Sequence, residues 1–338
     1  MTRKRTWLRR LGGLVLAGIV ALNVLAYRHA HAMLFYVPGG APPPRPEAMG
    51  WGQKLRVLFF GIEIPRPVNR STPADRGLIF STCMIPVDGR APETASRCPV
   101  DGTRLEAWFI PKAAPRGLVV LFHGYQGAKE SVLTEAEMYL GMGFSCLLVD
   151  FRGGGGSTGS KTTLGWFEAQ DVAAAYAYAD GLAGDAVPVI LHGFSMGAAA
   201  ILRAVALDGI QPDAIVLEAP FDRMLTTTRN RFRLLGAPAF PAAELLVFWG
   251  GQQAGFNGFR LNPVADAAQV AVPALVLCGR RDARATEAQV RSVFEALAGP
   301  KQLVVFSAAH ESFAAGHPRK WQFVIDAFLQ SRVHHTPL

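Results

Sequence analysis

A strand-like apolar run, Val187-Pro188-Val189-Ile190-Leu191-His192, leads directly into Gly193-Phe194-Ser195-Met196-Gly197 and then into Ala198-Ala199-Ala200-Ile201-Leu202. A strand that passes straight into a helix must turn sharply. Glycine on both sides of the serine removes the Cβ atoms that would collide in that turn. The alanines let the helix lie close on a sheet. Such a turn lifts the Ser195 side chain clear of the sheet's edge, which is the arrangement of a nucleophile elbow. A purely structural turn is the other reading of the pentapeptide, and the flanking strand and helix favour the elbow.

The same strand-helix rhythm extends over most of the chain. Apolar runs at 105–110, 118–122, 144–151, 187–192, 214–217, 274–278 and 303–306 predict strands. Segments 129–140, 164–179, 196–207, 286–297 and 319–329 predict helices between them. Short strands alternating with helices imply an α/β fold with a mostly parallel sheet covered on both faces. The interval 221–265 is longer than one crossover helix needs, and it reads as a helical cap over the carboxyl edge of the sheet. The catalytic domain is therefore expected over 76–338, with the cap inserted at 221–265.

Net charge is +8, but it is unevenly placed. Six of the 34 basic residues lie in 1–32, which has no acid, so the remainder carries 28 basic and 26 acidic residues. A nucleic-acid-binding face is not indicated. Arg3, Lys4, Arg5, Arg9 and Arg10 precede the apolar stretch 11–27, interrupted only by Asn23. Basic residues ahead of an apolar segment mark a targeting element in 1–32. An uncleaved membrane anchor is favoured over a cleaved signal, because Arg28, His29 and His31 make a polar approach to Ala30-His31-Ala32. Either way the basic end stays in the cytoplasm and the bulk is exported. The Ala, Arg, Gly and Pro bias suggests a GC-rich bacterial genome, so the expected location is a bacterial inner membrane with the catalytic domain on the periplasmic or extracellular side. A Pro-rich spacer and an unassigned arm fill 33–75. Cys146 and Cys278 fall in strand-like runs and read as buried small hydrophobes. Cys83 and Cys98 flank a turn-rich loop, and whether they pair stays open. No metal-ligand spacing occurs, and no metal or cofactor is expected.

A serine hydroxyl needs a base, and the base needs an orienting acid. In this type of sheet the acid and then the histidine follow the serine in sequence. Asp282 follows the strand ending at Gly279, and His310 follows the strand ending at Phe306. Both fall at the same sheet edge as Ser195. Glu218 is the rival acid, and a helix N-terminal role is the alternative for Asp282. The oxyanion hole is assigned to the backbone N–H groups of Met196 and Tyr125, the latter in the His123-Gly124-Tyr125 turn. His123 and His192 read as packing residues. Gly154–Gly159 mimics a dinucleotide fingerprint but opens no helix, and reads as a flexible rim loop.

His123-Gly124, Asp150-x-Arg152-Gly153 with Gly156-x-Thr158-Gly159, the Ser195 elbow, Gly279-x-x-Asp282 and His310 together resemble the α/β-hydrolase superfamily. They look most like its serine-aminopeptidase-like (S33-type) and BEM46-like branch. The resemblance covers roughly 76–330 and implies an eight-stranded sheet with Ser195, Asp282 and His310 as the triad. The sequence departs from the commonest pattern where Gly154 replaces a histidine and where a proline past the acid is missing. The expected activity is cleavage of an ester or related acyl bond on a small-molecule substrate. An exported aminopeptidase acting on a peptide, and a non-catalytic binding protein, are the alternatives. Phe240, Phe248, Trp249, Phe256 and Phe259 of the cap read first as packing, with an acyl pocket as their other use.

Overall fold

The apolar runs fold as they must when covered on both faces: the strands Leu118–Phe122, Ser145–Val149, Ala214–Glu218 and Ala274–Gly279 are buried at every residue. A computed structural model of the chain describes residues 2–41, 43–44, 46–87, 102–184 and 186–333. The chain begins with a long helix, α1 (Thr2–Leu34), and a short one, α2 (Trp51–Phe60). Strands β1 (Ser81–Pro86), β2 (Arg104–Ile110) and β3 (Leu118–Phe122) follow, then α3 (Leu133–Gly141) and β4 (Ser145–Val149). Next come α4 (Glu168–Ala183), β5 (Val189–Phe194), α5 (Met196–Leu207) and β6 (Ala214–Glu218). The expected cap interval holds α6 (Met224–Leu235), α7 (Ala242–Ala254) and α8 (Pro263–Ala267). Then follow β7 (Ala274–Gly279), α9 (Glu287–Ala296), β8 (Lys301–Phe306), α10 (Phe313–Gly316) and α11 (Pro318–Val333).

The eight strands form one sheet in the order β1-β2-β4-β3-β5-β6-β7-β8. β2 is antiparallel to both its neighbours, and the other pairings are parallel. This is the α/β-hydrolase fold. β1 is the strand without a sequence signal. It lies at the sheet edge, mostly exposed, and ends in Pro86, so it carries neither an apolar run nor a clean alternation. Cys146 and Cys278 are buried as expected. Cys83 lies in β1, whereas Cys98 falls outside the described residues.

The rim loop is firmer than its glycines suggest. Asp150 is fully buried and accepts from Lys129 Nζ at 2.5 Å and from the Lys129 backbone N–H at 2.7 Å. Lys129 Nζ also donates to Glu106 at 2.6 Å. Burial alone would raise the Asp150 pKa, but the Lys129 ammonium and the bonds it donates hold it below the ordinary value. Gly155 has φ +50°, and a Cβ there would sit 1.8 Å from the Asp150 carboxylate. The glycines thus permit close packing around a buried ion pair and are not markers of mobility.

Residues 35–71 lie against the catalytic domain. Tyr36 N–H donates to Ser160 O at 2.7 Å, and Asn69 Nδ2 donates to Asp150 at 2.8 Å. α1 packs on α7 along Ala26, Ala30 and Leu34, which are buried at four-residue spacing. Gly250 of α7 faces Ala30 and Leu34, so small residues let the two helices approach. Asn23, the polar interruption of the apolar stretch, accepts from Trp249 Nε1 at 3.1 Å. Trp7–Leu34 is long and apolar enough to cross a membrane, and its N-terminal portion is exposed apart from this seam.

Candidate active site

Ser195 sits between β5 and α5 with φ 52° and ψ −106°, a strained conformation for a residue with a side chain. The glycines beside it are sterically required. A Cβ on Gly193 would lie 2.5 Å from the carbonyl carbon of Gly197, and one on Gly197 would lie 2.7 Å from Phe122 O. The Ser195 N–H donates to Glu218 O at 2.7 Å, which ties the turn to β6.

Sequence placed Asp282 and His310 after β7 and β8, and the fold brings both to Ser195. His310 Nε2 lies 3.1 Å from Ser195 Oγ, and His310 Nδ1 lies 2.6 Å from Asp282 Oδ2. Asp282 is buried, and its Oδ1 accepts from the backbone N–H groups of Arg284 at 2.8 Å and Ala285 at 2.9 Å. Those bonds fix the carboxylate with Oδ2 towards the imidazole. Phe194 packs its ring 5.0 Å from that of His310. On the far side of His310, Ser312 Oγ donates to Glu135 of α3 and anchors the histidine loop. The rival acid Glu218 is engaged elsewhere: it accepts from Trp321 Nε1 and stands 3.4 Å from His192 Nε2. His192 Nδ1 pairs with Tyr139 OH at 3.0 Å, and His123 Nε2 accepts from Phe151 N–H at 3.1 Å. Both are buried packing histidines, as their positions suggested.

Met196 opens α5 directly after Ser195, and Tyr125, in the turn after β3, lines the same cavity as Ser195. Gly124 is needed there, because a Cβ would meet the Phe194 ring at 2.8 Å. The Tyr125 hydroxyl donates to Met33 O at 2.6 Å, which joins this turn to the end of α1.

A cavity of about 730 Å³ opens over Ser195 and His310. The five cap aromatics do not take the second of their two sequence readings, an acyl pocket. Phe240, Phe248 and Phe259 are exposed, Phe256 stacks on Trp166 at 4.5 Å, and Trp249 packs against Tyr27. None of the five lines this cavity. Its apolar lining comes from Leu22, Leu25 and Met33 of α1, Val57 and Leu58 of α2, and Phe232, Leu235 and Leu246 of the cap. The spacing of Trp51, Leu55 and Phe59 was a helix signal, but Gly50, Gly52 and the surrounding prolines hid it.

Two charged groups interrupt that lining. Arg231 is half-buried over the Tyr125 ring at 5.1 Å. Burial lowers its pKa. Glu135 is buried with Oε2 unpartnered. Burial, and then the nearby Glu218 carboxylate, push its pKa up to about 7. Neither residue carries a motif, and only the fold shows that they share one cavity.

A family model described as serine aminopeptidase, S33, matches residues 113–243, which run from the approach to β3 into α7. Over those residues the chain is similar to the S33 type of α/β-hydrolase. The hydrolase is 28% identical over 261 residues to an uncharacterized protein of Mycobacterium tuberculosis (strain H37Rv), spanning 75% of this chain and 79% of that one. It is 24% identical over 192 residues to the uncharacterized protein YqkD of Bacillus subtilis, spanning 55% and 62% of the two chains. Among solved structures, the esterase Pf2001 of Pyrococcus furiosus aligns with TM-score 0.65 and 23% identity, over 80% of this chain and 97% of that one. An esterase of Exiguobacterium antarcticum aligns with TM-score 0.52 and 18% identity, over 68% and 97%. These structural likenesses are of fold.

Proposed function

We propose that this hydrolase cleaves an ester or related acyl bond through Ser195, His310 and Asp282, and that α1 tethers it to a membrane. The observation that carries the reading is the unbroken hydrogen-bonded line from Ser195 through His310 to Asp282, at 3.1 and 2.6 Å, under an apolar cavity. His310 Nε2 takes the hydroxyl proton as Ser195 Oγ bonds to the substrate carbonyl carbon. Asp282 holds the Nδ1–H and stabilises the imidazolium. The backbone N–H groups of Met196 and Tyr125 receive the developing oxyanion. As the intermediate collapses, the ester C–O bond breaks and the alcohol leaves with the proton from His310. Water then adds to the acyl-serine by the same relay, releasing the acid and restoring Ser195. The esterases among the structural neighbours support this chemistry.

The test is hydrolysis of p-nitrophenyl esters of graded chain length beside aminoacyl anilides. The expected result is ester turnover with a preference for medium or long chains, lost in Ser195→Ala. No turnover of any ester by the folded protein would remove the reading. One observation favours a peptidase as the second reading: Glu135 presents an unpartnered carboxylate oxygen beside the cavity, where a free amine could bind. Turnover of the anilides above the esters would promote it.

The basic residues at the start of α1, ahead of its apolar stretch, support a cytoplasmic start and an exported domain. Alkaline phosphatase fused after residue 333 is then expected to be active in a bacterial host. An inactive phosphatase together with a bright green fluorescent protein at the same junction would reverse that topology.

A further inference from the structure

α2 has no role in the relay, yet it walls the cavity and turns an apolar stripe outward. Trp51, Leu55 and Phe59 recur at four-residue spacing, and Phe60 adjoins them. Their exposures are 70%, 49%, 65% and 77%, far more than a ten-residue helix of a water-facing surface needs. Arg56 on the same helix is also exposed. Val57 and Leu58 face the cavity, and Phe59 stands at its rim, both exposed and part of the lining.

The position of α2 relative to α1 fixes what covers that stripe. Measured from Leu11, the first residue after Arg9 and Arg10, a hydrocarbon layer of about 30 Å is crossed in about 20 residues of helix. The outer boundary of the layer therefore falls near His29 to His31. Leu22, Leu25 and Ala26, just inside that boundary, line the cavity together with His29 at it. His29 Nε2 bonds to Leu58 O at 3.1 Å, which pins α2 at that level of α1. An apolar stripe with a tryptophan, an exposed arginine and a fixed height beside a spanning helix has the composition of a helix lying in the membrane interface.

We infer that α2 is an interfacial helix resting on the bilayer that α1 crosses, and that the cavity between α1 and α2 admits its substrate from that bilayer. The substrate class is then a long-chain acyl ester resident in the membrane, whose chain lies along Leu22, Leu25, Val57 and Leu58 with its carbonyl at Ser195. This rests on the hydrolase reading above and narrows it.

The experiment uses the full-length protein in phosphatidylcholine vesicles and two substrates: a fluorogenic long-chain acyl ester dissolved in the bilayer, and p-nitrophenyl acetate in solution. Leu55→Gln/Phe60→Gln changes two exposed side chains that do not line the cavity. Burying two such side chains in lipid sets the expected loss on the bilayer ester at about tenfold or more, with acetate turnover within about twofold of wild type. An equal loss on both substrates, or no loss on the bilayer ester, overturns the inference. Should the double variant fail to fold, Phe60→Gln alone makes the same contrast. An independent reading comes from Trp51: the wild-type minus Trp51→Phe emission difference is expected to be quenched by lipids brominated along the acyl chain. An unquenched difference spectrum overturns the interfacial placement. Loss of acetate turnover in the wild type itself would instead strike the hydrolase reading.

Discussion

Two walls of different construction meet at the cavity over Ser195. One is the carboxyl edge of the sheet, where strand ends bring backbone within 3 Å of any added Cβ at Gly193, Gly197 and Gly279. The other is made by α1 and α2 with the cap helices α6 and α7; α1 and α2 meet the domain through a small-residue seam and a few hydrogen bonds such as Tyr125–Met33 and Lys54–Leu234. The first wall fixes atoms to a fraction of an ångström, as proton transfer needs. The second sets the size and polarity of the space above them. Chemistry and selectivity are thus carried by parts with different tolerance to change.

The largest expected contrast is in rate. Ser195→Ala or His310→Ala should lower kcat/KM for a short soluble ester by roughly three to four powers of ten, measured on protein with unchanged circular dichroism. Leu55→Gln in α2 should leave it nearly unchanged. Comparable losses from the two sets would erase the distinction between the walls.

Next in size is the response to one added methyl. Gly197→Ala forces a Cβ to 2.7 Å from Phe122 O, a backbone atom that cannot yield, and should cost about 3 kcal/mol or more in urea unfolding. Gly52→Ala in α2 meets nothing within 4 Å, and should be neutral or stabilise by up to about 1 kcal/mol. Similar effects at the two sites would mean that the sheet edge is not tightly packed.

Glu135 gives a pH test of the join between the walls. Its pKa stands at about 7 in the fold against an ordinary 4.5. Between those values the folded protein holds a proton that the unfolded chain has released. The stability Glu135 contributes is therefore fully present below pH 4.5 and is lost as pH rises towards about 7. Glu135→Gln keeps an acceptor for Ser312 and should flatten that fall, read as the thermal midpoint across the same range. An unchanged slope would place Glu135 in water.

The smallest effect is expected at Arg231. A guanidinium in the apolar lining should favour substrates with a negative charge. Arg231→Gln should raise KM about tenfold for an ester carrying a carboxylate, with kcat and neutral-ester KM little changed. A fall in kcat on both substrates would instead tie it to the Tyr125 turn.

The division between the walls also explains what could be read from the sequence. Seven strands, the elbow and the order Ser195, Asp282, His310 were legible, because each depends on a local apolar run and on the few residues at its end. The helix between β5 and β6 matched to the residue, since Ser195 and the small-residue run define it. β1 was missed, because an exposed edge strand ending in proline has no apolar pattern. The cavity walls were missed for another reason: Leu22 and Val57 meet over Ser195 only after α1, α2 and the sheet have packed. The cap aromatics read first as packing with an acyl pocket as their other use, and composition alone could not say which face of a helix meets the site. The rim glycines around Asp150 suggested mobility, and their partner Lys129 lies too far along the chain for the buried ion pair to be seen.

The most direct measurement is intact mass after treatment with a fluorophosphonate, which phosphonylates only a serine with an adjacent working base. The wild type should gain one adduct, mapped by peptide analysis to Ser195. His310→Ala should gain it far more slowly, and Ser195→Ala should gain none. Equal adduct formation in the wild type and in Ser195→Ala would contradict the assignment of the nucleophile.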